Sequence, residues 1–438
     1  MRGSKRLRDH VAGRHSTPLL HRRRFLAGVA GSAAAAIGTR PRRASAQSAL
    51  SGEVAFATFE WNTPHTGSVL RALTQSFNQR YPNVRIREIP IPAGGYHDQI
   101  LTQLTAGTPP DIFRIDDPQL PLYMERGFLT PLDDAIREAG VDTARFAPAM
   151  RDARHEGKTY GVVYQTNTRQ LIFNRALLQA AGIDGPPRDA AQLEDQIRRT
   201  TKRDQGQFGF TFASKAGDAT ALFLSAGPLI IGFGSHFTTD DGRPNATDPR
   251  LAEALGFLKR IWDADCVPRG LDGPAANSLI FSGRVALTLN GSFVFGAATP
   301  ETRPNLAAVA SPLPSTKLMR GTSWYGVGAR GRNKDAAIAW LMHMLTPESQ
   351  AKIVEVERVT PALPHLIPAR FFEESPWLRP FVEGASTAVS YLPPGLGSRA
   401  FSQIRTIGDE IEAILYRNKP IPTAMADLQR ALEAGLRR

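Results

Sequence analysis

Val54-Ala-Phe-Ala-Thr-Phe59, Val84-Arg-Ile-Arg-Glu-Ile89 and Asp111-Ile-Phe-Arg-Ile115 are three short β-type runs separated by two amphipathic segments, and this alternation decides the fold. Between the first two runs, Ser68–Arg80 sets Val69, Leu73 and Phe77 at four-residue spacing. That spacing lays one apolar stripe along a helix, which Tyr81-Pro82-Asn83 ends. Between the second and third, Tyr96–Ala106 turns Ile100, Leu101 and Leu104 inward and stops at Gly107 and the proline pair 109–110. A β-α-β-α-β order in fewer than 70 residues predicts a mostly parallel sheet, with ligands gathered at the carboxyl ends of its strands.

The whole chain has 438 residues, room for two or three domains at roughly 100–200 residues each. With 42% hydrophobic and 21% charged residues it has globular composition, which excludes a disordered polymer or a collagen-like fibre. A single cysteine, Cys266, excludes an intrachain disulfide and a Cys-rich zinc module; following a helical run, it is expected to be a small buried hydrophobe. The net charge of +12 suggests nucleic-acid binding until its distribution is examined. Residues 1–46 carry eleven basic side chains and one acid, leaving 42 basic against 40 acidic in the rest. The nearly neutral body argues against a nucleic-acid partner.

Residues 1–46 read as an export signal. His21-Arg-Arg-Arg-Phe-Leu26 is followed by a small-residue apolar stretch, 25–38, and by Ala44-Ser45-Ala46 before Gln47. This is the basic segment, apolar segment and small-x-small cleavage site of a signal peptide. Arg22-Arg23-x-Phe25-Leu26 resembles the twin-arginine type, which sends proteins across the membrane already folded. The apolar stretch is shorter than the ~20 residues needed to span a bilayer. The expectation is a periplasmic protein that starts near Gln47.

Further along, Tyr96-x-x-Gln99-Ile-x-x-Gln103-Leu-x-Ala106-Gly107-Thr-Pro-Pro110-Asp111-Ile-Phe-x-x-Asp116 and Gly127-Phe-Leu129-x-Pro131-Leu132-Asp133 resemble the family 1 extracellular solute-binding proteins of ABC importers. So do Gly157-Lys-x-Tyr160-Gly161-Val162 with Leu171-Ile-Phe173-Asn174, and Phe281-x-Gly283-Arg-Val-Ala286-Leu-x-Leu-Asn290-Gly291-Ser-Phe293. The segment from Gly326 to Gln350 is similar to the family's helix pair. The resemblance implies a periplasmic-binding-protein-like α/β fold: two α/β lobes, a hinge, and a ligand cleft between them. Carried onto this chain, lobe one spans 47–163 plus 313–346 and lobe two 164–312 plus 347–438. It further implies a monomer without cofactor or metal, which captures a carbohydrate-like small-molecule solute and delivers it to ABC transporter permease subunits in the inner membrane.

The same matches nominate site residues. Asp116 directly follows the third strand, where a carboxylate accepts sugar hydroxyls in charge-assisted bonds; its other role is a helix N-cap for the segment from Pro118. Asn167 lies in the crossing segment, as a polar contact or an exposed turn amide. A pyranose exposes an apolar C–H face that a flat side chain covers. Trp61, Trp324, Tyr325 and Phe401 are therefore platform candidates, as is Phe293, standing where the family often has tryptophan; each has core packing as its alternative. Should the solute be an anion, Arg114, Arg169 and Arg399 are the candidate cations, two or more of them being needed.

Enzyme chemistry finds little support. Gly326-Val-Gly328-Ala-Arg-Gly331 satisfies G-x-G-x-x-G, yet the acid expected roughly 20 residues on, at the tip of a next strand, is replaced by a second helix start at Thr346-Pro-Glu-Ser-Gln350. Nucleophile-elbow, zincin and P-loop motifs are missing from the sequence. The alternative kept open is a secreted carbohydrate-active enzyme with a similar cleft, although no acid/base carboxylate pair can be assigned.

Overall fold

The computed structural model describes residues 50–436, so the export-signal assignment to residues 1–46 lies outside the described residues. The expected opening is present: β1 (Gly52–Thr58), β2 (Val84–Pro90) and β3 (Ile112–Asp116), with helices Pro64–Arg80 and Tyr96–Thr105 between them. The first helix starts four residues before the expected Ser68, because Pro64 fits the first turn, where its missing N–H leaves no bond unmade. Later strands are β4 (Val162–Thr168), β5 (Gln170–Asn174), β6 (Phe208–Phe210), β7 (Val285–Asn290), β8 (Leu306–Val309), β9 (Leu318–Val327) and β10 (Ala388–Ser390).

These form two larger sheets. The first has the order β10-β9-β3-β1-β2, with β4 also paired to β9; β1 runs parallel to both β2 and β3. The second has the order β8-β5-β7-β6. Each covers its own apolar core. In the first, the Phe56 ring meets Trp61, Tyr325 and Trp340 edge-on at centroid distances of 5.1, 4.9 and 4.9 Å. In the second, Leu171, Leu287 and Ile261 pack with Ile407 and Ile411 of helix Ala400–Arg417. Cys266 is buried in this core, as a small hydrophobe would be.

The Pro-Pro-Asp turn before β3 has a structural reason. Asp111 accepts the backbone N–H of Ala55 at 2.8 Å and that of Asn333 at 2.7 Å, tying β1 to the loop ahead of helix Lys334–Met344. The glycines of the G-x-G-x-x-G stretch serve the same junction: a Cβ on Gly328 would lie 2.7 Å from the Pro110 carbonyl oxygen. Gly326 itself belongs to β9, which is antiparallel to β3, so no βαβ phosphate loop forms.

The chain passes between the sheets three times. At the first passage only Arg169 separates β4 from β5. The second is 310–317, between β8 and β9. The third follows the bridge between Thr166 and Thr360 and runs through β10 to helix Ala400–Arg417. One assignment from the sequence is corrected here. Ile353, Val359, Ala362 and Leu363, placed in lobe two by the sequence, belong to the first core, because helix Pro347–Glu357 packs there and Thr360 is bridged to β4.

Candidate functional site

The carboxyl end of β3 carries a chain of charges. Arg114 donates to Asp116 through Nε at 2.9 Å and Nη2 at 2.7 Å, and also pairs with Glu60. Glu60 is buried and accepts from the Tyr325 hydroxyl and from Thr58 Oγ1 at 3.2 Å. His97, in the first turn of helix Tyr96–Thr105, lies 3.0 Å from Asp116 through Nε2. Burial works against ionised Asp116, but Arg114 and then His97 outweigh it and hold its pKa below the usual aspartate value. At Glu60 burial wins over Arg114, and the pKa rises. The Tyr96 hydroxyl donates at 3.0 Å to the carbonyls of Ala57 and Arg114, clamping the strand ends on which these groups stand.

In front of this chain lies a cleft of ≈ 410 Å³. Its floor comes from β3, β4 and β9: Arg114, Asp116, Gln165, Asn167 and Ser323. Its opposite side is aromatic, formed by Phe293, Tyr391 and the 48%-exposed Phe401, from segments that follow the second sheet's strands or the third passage. Arg169 stands at the boundary. Three buried polar atoms of cleft-lining residues have no hydrogen-bond partner among the described residues: His97 Nδ1, Gln119 Oε1 and Ser323 Oγ. Buried polar atoms are normally satisfied, so these three mark side chains of the cleft wall whose hydrogen bonding is incomplete.

A second, larger cavity of ≈ 720 Å³ lies across β9. Met319, Gly321 and Ser323 line the smaller cleft, Arg320 and Trp324 the larger space, and Asp117 both. The smaller one has the polar groups at the parallel strand ends and the aromatic wall, and is the candidate site.

Of the residues nominated from sequence, Asp116, Asn167, Phe293 and Phe401 are brought together in this cleft. Asp116 is committed to Arg114 and His97; Asn167 receives a 3.5 Å contact from Ser292 Oγ. Four are not there. Trp61 is 3% exposed, its indole N–H donating to the Phe56 carbonyl at 2.9 Å within the first core. Tyr325 is fully buried and supports Glu60 from behind. Trp324 is fully buried on the far face of β9. Arg399 donates to the Leu436 carbonyl at 3.2 Å ahead of helix Ala400–Arg417. For the three aromatic residues the cause is common, since local sequence cannot show which face of a strand or its end meets the core; Arg399 instead stands at a helix start. Of the other two possible cations, Arg114 and Arg169 both line the cleft. His97, Gln119, Gln165 and Tyr391 join them without having been nominated.

Two α/β bodies joined by three passages, with a polar and aromatic cleft at the passages, have the architecture of a two-lobed solute-binding protein. A family model described as bacterial extracellular solute-binding protein matches residues 72–379, and the chain belongs to that family. A mannitol-binding protein of Pseudomonas aeruginosa is 23% identical over 299 residues, covering 65% of this chain and 67% of that one. Among solved structures, the GacH receptor of Streptomyces glaucescens, determined unliganded and with acarbose, matches at a TM-score of 0.76 and 22% identity over 89% of this chain and 99% of its own. UgpB of Mycobacterium tuberculosis, in complex with glycerophosphocholine, matches at 0.75 and 20% identity, covering 89% and 99%.

Proposed function

We propose that the protein captures a small polar solute, a sugar or polyol in the first instance, by closing its two lobes over it, and hands the solute unchanged to the permease of an ABC importer. The carrying observation is the cleft: polar side chains at the first sheet's strand ends, Asp116, Gln165 and Asn167 among them, line it together with the aromatic side chains Phe293, Tyr391 and Phe401. A guest touching both stabilises the closed arrangement by its differential affinity for it, and a permease can read that arrangement. No catalysis is invoked. The lobes are taken as 50–163 plus 318–363 and 170–309 plus 400–436, the shift to 363 following the first core's membership. We place the mature monomer in the periplasm, cleaved after Ala46; among the described residues no helix is long and apolar enough to cross a membrane. Mannitol binding in the Pseudomonas relative supports the polyol class.

The test is a thermal-shift screen of the purified mature chain against mono- and disaccharides, polyols and their acids and phosphates. A solute at a thousand times its dissociation constant adds about 4 kcal/mol of stability, and the bound solute should be recovered chemically intact. Cleavage of an oligosaccharide during incubation would sink the proposal in favour of an enzyme. With the responding solute, Gly291→Ala should weaken binding roughly tenfold in calorimetry. A Cβ there would lie 2.9 Å from Arg169 Nη1 and 3.0 Å from the Phe293 ring, so the guanidinium end must shift and the ring give slightly, disturbing both at once. Unchanged affinity in G291A would remove Phe293 from the site.

A further inference from the structure

We propose that the captured solute carries an acidic group, a carboxylate or phosphate, and that Arg169 is the residue that binds it. This deepens the solute-binding reading above and rests on it. Arg169 occupies the single position between β4 and β5, half-buried in the cleft. The backbone N–H donates to the Met319 carbonyl at 2.8 Å; the guanidinium makes one hydrogen bond, from Nη1 to Asn290 Oδ1 at 3.1 Å, and no carboxylate of the described residues pairs with it. The neighbouring arginines differ. Arg114 is committed to Glu60 and Asp116, and Arg320 to Asp152 at 2.5 Å. Arg169 alone among the cleft's arginines keeps most of its donors unassigned, so a single guanidinium fork stands here in place of the two or more cations expected from the sequence.

Burial pulls the Arg169 pKa down from its ordinary value, a sign of a charge short of stabilising partners, although a guanidinium does not lose its proton in a protein. The one carboxyl among the groups acting on it, Asp117, has its pKa pushed up to about 8 by burial and so offers little countercharge at neutral pH. A half-buried cation in this condition is stabilised by an anionic guest, and a planar guanidinium binds carboxylate or phosphate with two parallel bonds that a neutral hydroxyl cannot match.

Position adds to charge. Arg169 Nη1 and the Phe293 ring both lie about 3 Å from the place a Gly291 Cβ would take, so cation and platform stand side by side. A sugar ring or polyol chain lying on Phe293 would bring an acidic substituent to Arg169 without leaving the aromatic surface.

The experiment compares matched pairs by calorimetry: galactose with galacturonate, glucose with glucose 6-phosphate, and glycerol with glycerol 3-phosphate. The acidic member of at least one pair should bind tenfold or more tightly than its neutral partner. Arg169→Gln should erase that preference, Arg169→Lys should retain part of it, and whether acids or phosphates respond identifies the group. Equal binding of neutral and acidic partners, or a preference that survives R169Q, overturns the proposal while leaving the binding-protein reading intact. A second readout needs no ligand. Ligand-free R169Q should melt higher than the parent, because a half-buried charge without a countercharge has been removed; a lower melting temperature shows that the protein already satisfies the guanidinium, which overturns the proposal even if no probe binds. Turnover of an oligosaccharide would instead defeat the reading on which the proposal rests.

Discussion

Arg114→Ala is expected to destabilise the protein by about 3–5 kcal/mol and to abolish solute binding. The side chain is 11% exposed and stands between two carboxylates, Glu60 at 4% and Asp116 at 23%. Removing it leaves two acids facing each other with little water to screen them, one deep in the core of β1 and the other at the floor of the cleft. Its guanidinium also lies 4.6 Å from the centroid of Phe59, a cation–π attraction that alanine cannot make. Glu60→Gln is the informative companion. Burial already raises the pKa of Glu60, and an amide can accept from Arg114 while its NH2 group donates to the Tyr325 oxygen. The expected cost is only about 1 kcal/mol. Urea denaturation of both variants checks the pair. If R114A loses less than E60Q, the charge chain does not hold the strand ends and the account of the cleft floor is wrong.

The contrast between the two residues also marks what sequence could show. The alternation of β2, the stripe Val69, Leu73, Phe77 and the breakers at 107 and 109–110 are local signals, and the sheet built from them is as expected. The site was partly legible for the same reason. Along an extended strand, positions two apart share a face. Starting from Asn167, that rule alone points to Gln165 and Arg169, and from Asp116 to Arg114; all five line the cleft. Trp61 and Phe293 could not be told apart this way. Each follows a strand, and what turns Trp61 inward is its packing on Phe56, whose own partners Tyr325 and Trp340 come from far along the chain. Likewise Thr346-Pro347 has the appearance of a boundary, a capped helix start after a helix end, and only the bridge from Thr360 to β4 reveals that the chain has not yet left the first lobe.

Asp117, one residue beyond β3, makes stability depend on pH. Its Oδ2 accepts the Thr322 N–H at 2.8 Å, but Arg320 Nη1 is 3.9 Å from Oδ1 and sits closer to Asp152, whose own charge further opposes that of Asp117. Burial is the largest influence, ahead of the attraction of Arg320, and it pushes the Asp117 pKa up to about 8 from an ordinary value near 3.8. The folded protein therefore keeps a proton that the unfolded chain releases. Its contribution is fully present below about pH 4, is lost progressively as pH rises towards 8, and is gone above it, a difference on the order of 5 kcal/mol if the shift is complete. Asp117→Asn carries the neutral form at every pH and can still accept from Thr322. The variant should melt close to the parent at pH 5 and clearly above it at pH 9, and the difference between their melting curves cancels other titrating groups. Because Asp117 lines both cavities at β9, alkaline pH should also place a negative charge beside Arg169 and weaken capture of an acidic solute in the parent but not in D117N. Parallel melting temperatures for the two proteins across pH 5–9 would show that Asp117 is ionised throughout, held by Arg320, and would remove the pH dependence of both stability and capture.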